Sequence, residues 1–186
     1  MKKEREMLVM KRVALMVLGL AVALQAATNY IVVDDGISLT SVDGKTLFVG
    51  APAKIISNEG DNVVVEIEGF VNPAKSDTLY ASKSFVVELA KGDLAINGEK
   101  GVLKATLPKD NIDEDDEYAW GPSADMFYEK CTQCHAAPAI NTHTMLEWEG
   151  LFSSMKQFAQ PSAREEATIL RFLRTFAKDG FGTIAW

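Results

Sequence analysis

The feature that most constrains the fold of this 186-residue chain is a change in the spacing of its apolar residues. From 28 to about 107, apolar and polar residues alternate between turn residues, and this period of two is typical of half-buried strands. After Trp120 the apolar residues recur three or four positions apart, as in amphipathic helices. The sequence therefore predicts a β-rich part followed by a helical part.

The clearest strand is the segment NVVVEIEGF, in which Val63, Val65 and Ile67 share one face. It follows the segment AKIIS, 53–57, across the turn residues NEGD, so we predict a hairpin. Further strands are expected in the segments YIVV, TLFVG, SFVVELA and VLKATL. Short strands at this density favour a small all-β domain, and an SH3-like barrel is our specific prediction.

Three helices are expected after the β-rich part. Ser123 is placed to cap the first helix. Thr144 with Glu147, and Ser162 with Glu165, have the capping-box spacing for the second and third. The fold class predicted from these patterns is two domains, a small all-β domain and a C-terminal all-α domain of about three helices.

The segment KDNIDEDDE is acidic and has no apolar periodicity, which favours a solvated linker, although a docking role for its acids is an alternative. We therefore place the β-domain at 28–107, the acidic linker at 108–119 and the helical domain at 120–186.

Residues 1–27 have the layout of a secretory signal peptide: Lys11 and Arg12, a twelve-residue apolar run, and small residues before the expected cleavage point. An uncleaved anchor is the alternative, but a membrane span needs roughly 20 apolar residues. We therefore expect a periplasmic protein with a cleaved signal peptide. Met10 is an alternative start, because the residues before it are unusually acidic for a signal peptide.

Export changes the charge balance of the chain. The first 26 residues hold five of the 19 Lys and Arg and two of the 26 Asp and Glu, so the exported chain would carry a net charge near −10. Such a charge repels nucleic acid and favours a partner with a basic patch. Nucleic-acid binding is therefore excluded from the prediction.

The motif CTQCH contains both cysteines of the chain, Cys131 and Cys134, followed by His135. In a continuous helix these residues and Phe127 would share one face. The motif CxxCH is an attachment signature for c-type haem, in which the two cysteines hold the macrocycle and the histidine ligates the iron. It therefore predicts one covalent haem c, with His135 as the proximal iron ligand.

Three other readings of the motif are less favourable. A structural zinc site needs four ligands, and adding His143 leaves two of the four, Cys134 and His135, adjacent in the chain and poorly placed to converge. A thioredoxin-like dithiol belongs at a helix N-terminus after a strand. A disulfide between Cys131 and Cys134 would be strained and would leave His135 unexplained.

The segments WGPSADMFYEKCTQCHAAP, HTMLEWEGLFSSM and EEATILRFLRTFAKD together resemble the C-terminal monohaem domain of the cytochromes that donate electrons to periplasmic trimethylamine-N-oxide reductases. The preceding GKTLFVGAPAKIISNEGDNVVVEIEGFV is similar to an SH3-like module that accompanies such domains. The resemblance implies that the all-α domain is a cytochrome c domain. It also implies an electron-transfer protein rather than an enzyme, with a molybdenum-containing N-oxide or S-oxide reductase as acceptor. Those donors also carry a membrane-anchored tetrahaem part, so a separate quinol-oxidising membrane cytochrome or complex is expected as donor.

The second axial ligand has two candidates. Met155 lies about where the resemblance places an axial methionine, although it also belongs to the apolar stripe of the second helix. His143 lies in the loop before Thr144 and is the other histidine of the chain. An open sixth position would instead indicate a haem-based sensor or a small haem peroxidase. Four residues are expected to bury the macrocycle: Phe127, Trp148, Leu151 and Phe172.

Overall fold

The structure is a computed structural model that describes residues 28–34 and 36–182. The signal peptide predicted at 1–27 lies outside the described residues. Within the described ranges, no helix combines the length and the apolar character that crossing a bilayer requires.

Among the described residues, the β part is a ten-stranded antiparallel sheet. Its strands are β1 Asn29–Ile31, β2 Ser38–Thr40, β3 Thr46–Phe48, β4 Pro52–Glu59, β5 Asn62–Asn72, β6 Lys75–Tyr80, β7 Glu88–Lys91, β8 Ala95–Asn97, β9 Lys100–Pro108 and β10 Ile112–Asp113. Eight of them follow the order β10, β1, β4, β5, β6, β7, β3, β2, while β9 pairs with β5 and β8.

The predicted hairpin is confirmed by the pairing of β4 with β5, where Ile55 lies opposite Val65. The inward side chains of β5, among them Val63, Val65 and Ile67, are almost fully buried. Alternation therefore identified the buried face of this strand correctly.

The sheet is curled, so that the turn between β2 and β3 at one end lies against strand β9. The backbone N–H of Val42, in the turn between β2 and β3, donates to the carbonyl oxygen of Thr106 at 2.8 Å. The Asp43 carboxylate accepts from the Thr106 N–H at 3.1 Å. The first apolar cluster lies inside this curl and includes Leu47, Ile67 and Leu103.

The helical part contains α1 Asp116–Cys131, α2 Met145–Ala159 and α3 Ala163–Phe176. Both predicted capping boxes are confirmed: Thr144 with Glu147 opens α2, and Ser162 with Glu165 opens α3.

The predicted cap of the first helix is wrong. The carboxylate of Asp115 accepts from the backbone N–H groups of Glu117 and Tyr118, so α1 begins two turns before Ser123. Ser123 lies buried inside the helix, which also contains Pro122.

The acidic segment 108–119 is largely ordered into regular structure. It contains a 3-10 turn, Lys109–Asn111, then strand β10, which pairs with β1, and then the first turn of α1. The division of the chain at this segment stays a prediction.

The fold class predicted from the sequence, an SH3-like barrel followed by an all-α cytochrome c domain, is wrong. The described residues form a mostly β structure in which three helices pack on the curled sheet. The second apolar cluster combines Val32, Val49 and Val87 from the β part with helix side chains such as Trp120 and Phe172. The helices therefore bury their apolar faces partly against the β part and do not form an all-α core of their own.

Candidate functional site

The CTQCH motif lies at the end of α1, which ends at Cys131. The Thr132 hydroxyl donates to the Tyr128 carbonyl at 2.7 Å, and the Gln133 side-chain amide donates to the Glu129 carbonyl at 3.1 Å. The Tyr128 carbonyl also accepts from the backbone N–H of Thr132 at 3.1 Å. The Gln133 side chain, by contrast, takes the place of the backbone donor that a further helical turn would have supplied to Glu129. The rest of the motif is therefore a turn, and the predicted continuous helical face is interrupted after Cys131.

A cavity of about 310 Å³ opens beside this turn. Its walls are mostly apolar, and its lining residues are Phe127, Cys131, His135, Ala137, Pro138, His143, Trp148, Leu151, Phe152, Met155 and Leu173. The cavity thus joins Cys131 and His135 to both candidates for the second axial ligand. Two larger clefts, of about 500 and 560 Å³, are lined by many charged residues and contain none of these groups.

The two cysteines have different surroundings. Cys131 is half-buried in the cavity wall, whereas Cys134 is exposed in the turn and is not part of the lining. They do not form a disulfide with each other. Burial raises the pKa of the Cys131 thiol, which therefore stays protonated at neutral pH, unlike the thiolate of a catalytic dithiol.

A hydrogen bond to the neighbouring backbone orients the ring of His135. Its Nδ1 lies 2.8 Å from the carbonyl oxygen of Ala136, and a carbonyl only accepts hydrogen bonds. Nδ1 therefore carries the proton and donates it. The other ring nitrogen, Nε2, keeps the lone pair that ligation of a metal needs.

His143 lies in the loop before α2, where two contacts of its ring and one backbone hydrogen bond hold it in place. Its Nδ1 is 2.9 Å from the Thr142 hydroxyl oxygen, and its ring centroid is 5.0 Å from that of Trp148. Its carbonyl oxygen accepts from the Lys178 N–H at 2.8 Å. The indole Nε1–H of Trp148 in turn donates to the Ile140 carbonyl at 2.7 Å.

Met155 occupies the third turn of α2 and is 39% exposed at the cavity rim. Its flexible thioether side chain is suited both to filling an irregular apolar gap and to binding a soft metal. Both sequence candidates for the second ligand, Met155 and His143, therefore line the same cavity.

Aromatic side chains of the cavity lining pack against a further aromatic ring behind them. Phe127 contacts Trp148 and Phe172, in both cases with ring centroids 6.0 Å apart. Phe127, Trp148 and Leu151, expected to bury a macrocycle, line the cavity, whereas Phe172 supports Phe127 from behind. Thr142, which contacts the His143 ring, was not predicted as a site residue. The only signal for it in the sequence is its position directly before His143.

The donor set suits haem better than a bare metal ion. Within 28–34 and 36–182, no three His, Cys, Asp or Glu side chains converge as a metal-binding cluster. A haem iron needs only axial side chains from the protein, because the macrocycle supplies the remaining ligands. Single imidazole or thioether groups on an apolar cavity wall, next to a cysteine, meet that requirement.

The chain is similar to two curated proteins, both named "Cytochrome c-type protein TorC". The protein from Escherichia coli O157:H7 is 26% identical over 180 residues, which cover 80% of this chain and 46% of the relative. The protein from Escherichia coli strain K12 is 26% identical over 190 residues, covering 86% and 48%. The chain spans about half the length of the curated relatives it matches.

No protein-family model and no solved structure matches the chain. The similarity to cytochrome c-type proteins therefore rests on the two relatives, and it covers most of this chain at low identity.

Proposed function

We propose that this chain is a periplasmic electron-transfer protein of the c-type cytochrome kind that holds one covalent haem. The observation that carries the proposal is the shared cavity, in which Cys131 and His135 of the CTQCH motif meet His143 and Met155 on an apolar wall. The similarity to cytochrome c-type proteins supports it independently of the cavity.

In this proposal, Cys131 and Cys134 attach the macrocycle and His135 provides the proximal ligand through Nε2. The haem supplies a reversible one-electron couple. The protein would hold the ligating side chains in place, and the apolar rings of Phe127 and Trp148 would limit the access of water to the bound group; both effects would tune the reduction potential. The hydrogen bond from His135 Nδ1 to Ala136 keeps the ring in the tautomer that binds a metal.

The charge of the chain supports a partner of opposite charge. An acidic surface speeds association with a basic docking patch and weakens that association as salt rises. We propose a periplasmic molybdenum-containing N-oxide or S-oxide reductase as acceptor and a membrane quinol-oxidising cytochrome or complex as donor. Both assignments follow from the resemblance of the helical segments, and the similarity to cytochrome c-type proteins is consistent with a role in electron transfer.

An electron-transfer experiment tests the function. The purified protein is reduced chemically, freed of excess reductant and mixed with a purified trimethylamine-N-oxide reductase, and its absorption is followed after substrate is added. We expect reoxidation only when both the reductase and its substrate are present, and we expect a slower rate at high salt. Reoxidation by peroxide alone, with a high-spin ferric spectrum that shifts on adding cyanide, would instead indicate a peroxidase or sensor.

A further inference from the structure

The hydrogen bonds around Thr142 fix the proton of the neighbouring imidazole. The Thr142 hydroxyl lies 2.5 Å from the Ala139 carbonyl oxygen and 2.9 Å from His143 Nδ1. A hydroxyl has one proton to donate, and a carbonyl has none. Thr142 must therefore donate to Ala139, so it accepts from a protonated Nδ1 of His143.

With the proton on Nδ1, a neutral His143 carries its free lone pair on Nε2. His135 reaches the same state through a different acceptor, the Ala136 carbonyl. Both imidazoles thus use Nδ1 for hydrogen bonds to their local chain, and both line the one cavity with Nε2 as the uncommitted ring nitrogen.

The two candidates for the second ligand differ in how firmly they are held. The His143 ring is held by Thr142 and packs on Trp148, and its backbone is tied to Lys178. The Met155 side chain has three rotatable bonds and is 39% exposed. A ligand held before metal binding loses less conformational freedom when it binds, which favours the histidine.

We propose that Thr142 is a positioning residue that fixes His143, rather than Met155, as the second axial ligand of the haem iron. The site would then be a bis-histidine site in which each ligand has its own hydrogen-bond acceptor, the Thr142 hydroxyl for His143 and the Ala136 carbonyl for His135. This inference rests on the proposed haem function, because the iron is what the two imidazoles would bind.

The test compares T142V, which keeps the side-chain shape and removes the hydroxyl, with T142S, which keeps the hydroxyl. Loss of a hydrogen bond that orients a metal ligand typically weakens the metal bond 10- to 100-fold. Cyanide would compete with His143 for the ferric iron. The cyanide affinity of T142V should therefore be about 10- to 100-fold higher than that of the wild type. The cyanide affinity of T142S should lie within about 3-fold of the wild-type value. Equal cyanide affinity of T142V and the wild type would overturn the positioning role.

The ligand itself is assigned with H143A and M155L, using the absorption and electron paramagnetic resonance spectra of the ferric proteins. We expect H143A to lose the low-spin signal and M155L to keep it. A methionine-to-iron charge-transfer band that disappears in M155L would overturn the proposal. Circular dichroism of each variant shows whether the fold is retained, and addition of imidazole should restore the low-spin signal in folded H143A.

A haem-independent readout separates the two proposals. In the full chain prepared without haem, nitrogen-15 spectra of the histidine rings report the tautomer directly, and we expect the Nδ1–H form for His143 in the wild type and a shifted tautomer population in T142V. A predominant Nε2–H form in the wild type would overturn the inference alone. Absence of covalent haem from the protein produced in an exporting bacterium would overturn the proposed function, and the ligand assignment with it.

Discussion

The guanidinium group of Arg171 donates two hydrogen bonds to the carbonyl oxygen of Val49, at 2.8 and 3.2 Å, across 122 positions of the chain. A third bond from the same group reaches the Glu88 carbonyl at 2.7 Å. The group also lies over the rings of Phe48 and Trp120. Arg171 thereby links α3 to two separate segments of the β part.

Replacing Arg171 by Ala should lower the free energy of unfolding by about 3 kcal/mol or more, because buried carbonyls would lose charge-assisted bonds. The matched control is R174A on the same helix, where a partly exposed ion pair with Glu149 is worth about 1 kcal/mol at most. Urea unfolding of both variants measures the difference. Equal losses would contradict a linking role for Arg171.

Gly50 is placed so that a side chain there would collide with Trp120. Its φ is +69°, and a Cβ atom would lie 2.0 Å from the indole ring. Gly60 has a similar φ of +64° but no atom within 4 Å of the added Cβ. G60A therefore measures the backbone strain alone, and G50A should cost about 1–3 kcal/mol more, which is the usual cost of overpacking a core.

Thermal unfolding of G50A and G60A checks this packing. A similar melting temperature for the two variants would mean that the indole of Trp120 does not pack against the backbone at Gly50.

Much of the local structure was predictable because its causes lie within a few residues. The β4–β5 hairpin follows from alternation, and the capping boxes at Thr144 and Ser162 follow from spacing. The contacts of Arg171 with the β part join residues far apart in the chain. The spacing of apolar residues does not predict such contacts. The predicted all-α domain was wrong for this reason, since the apolar faces of the helices do not reveal their partners.

For the candidate site, Cys131 and His135 were selected from the CxxCH spacing, His143 from its residue type and Met155 from the resemblance. All four line one cavity, and their roles stay predictions. The exposure of Cys134 was not predicted, because the helix ends at Cys131 and the Gln133 side chain bonds the Glu129 carbonyl instead of a further backbone N–H.

The ion pair between Lys130 and Glu165 joins the last turn of α1 to the first turn of α3 at 2.9 Å. The hydrogen bond from Lys130, followed by the backbone and hydroxyl of Ser162, lowers the pKa of Glu165 from 4.5 to about 2. A lowered pKa in the folded state means that the unfolded chain binds the proton more readily. Glu165 therefore stabilises the fold above pH 4.5 and loses this effect as the pH falls towards 2.

E165Q should consequently flatten the dependence of stability on pH between about 4.5 and 2, with little further change above this range. Urea unfolding at a series of pH values measures the slope. The partner variant K130Q should raise the pKa of Glu165, which a carboxyl titration by nuclear magnetic resonance reports. An unchanged slope in E165Q would exclude this pair as a source of acid sensitivity.

Covalent attachment of haem at the CTQCH turn can be measured by intact-mass spectrometry. The chain is produced in an exporting bacterium that attaches c-type haem, denatured, and weighed beside the double variant C131A/C134A. We expect a wild-type chain heavier by one haem, with the modified peptide containing Cys131 and Cys134, and a double variant without that mass. A wild-type chain whose mass shows no attached haem, or a haem that denaturation removes, would rule out covalent haem in this protein.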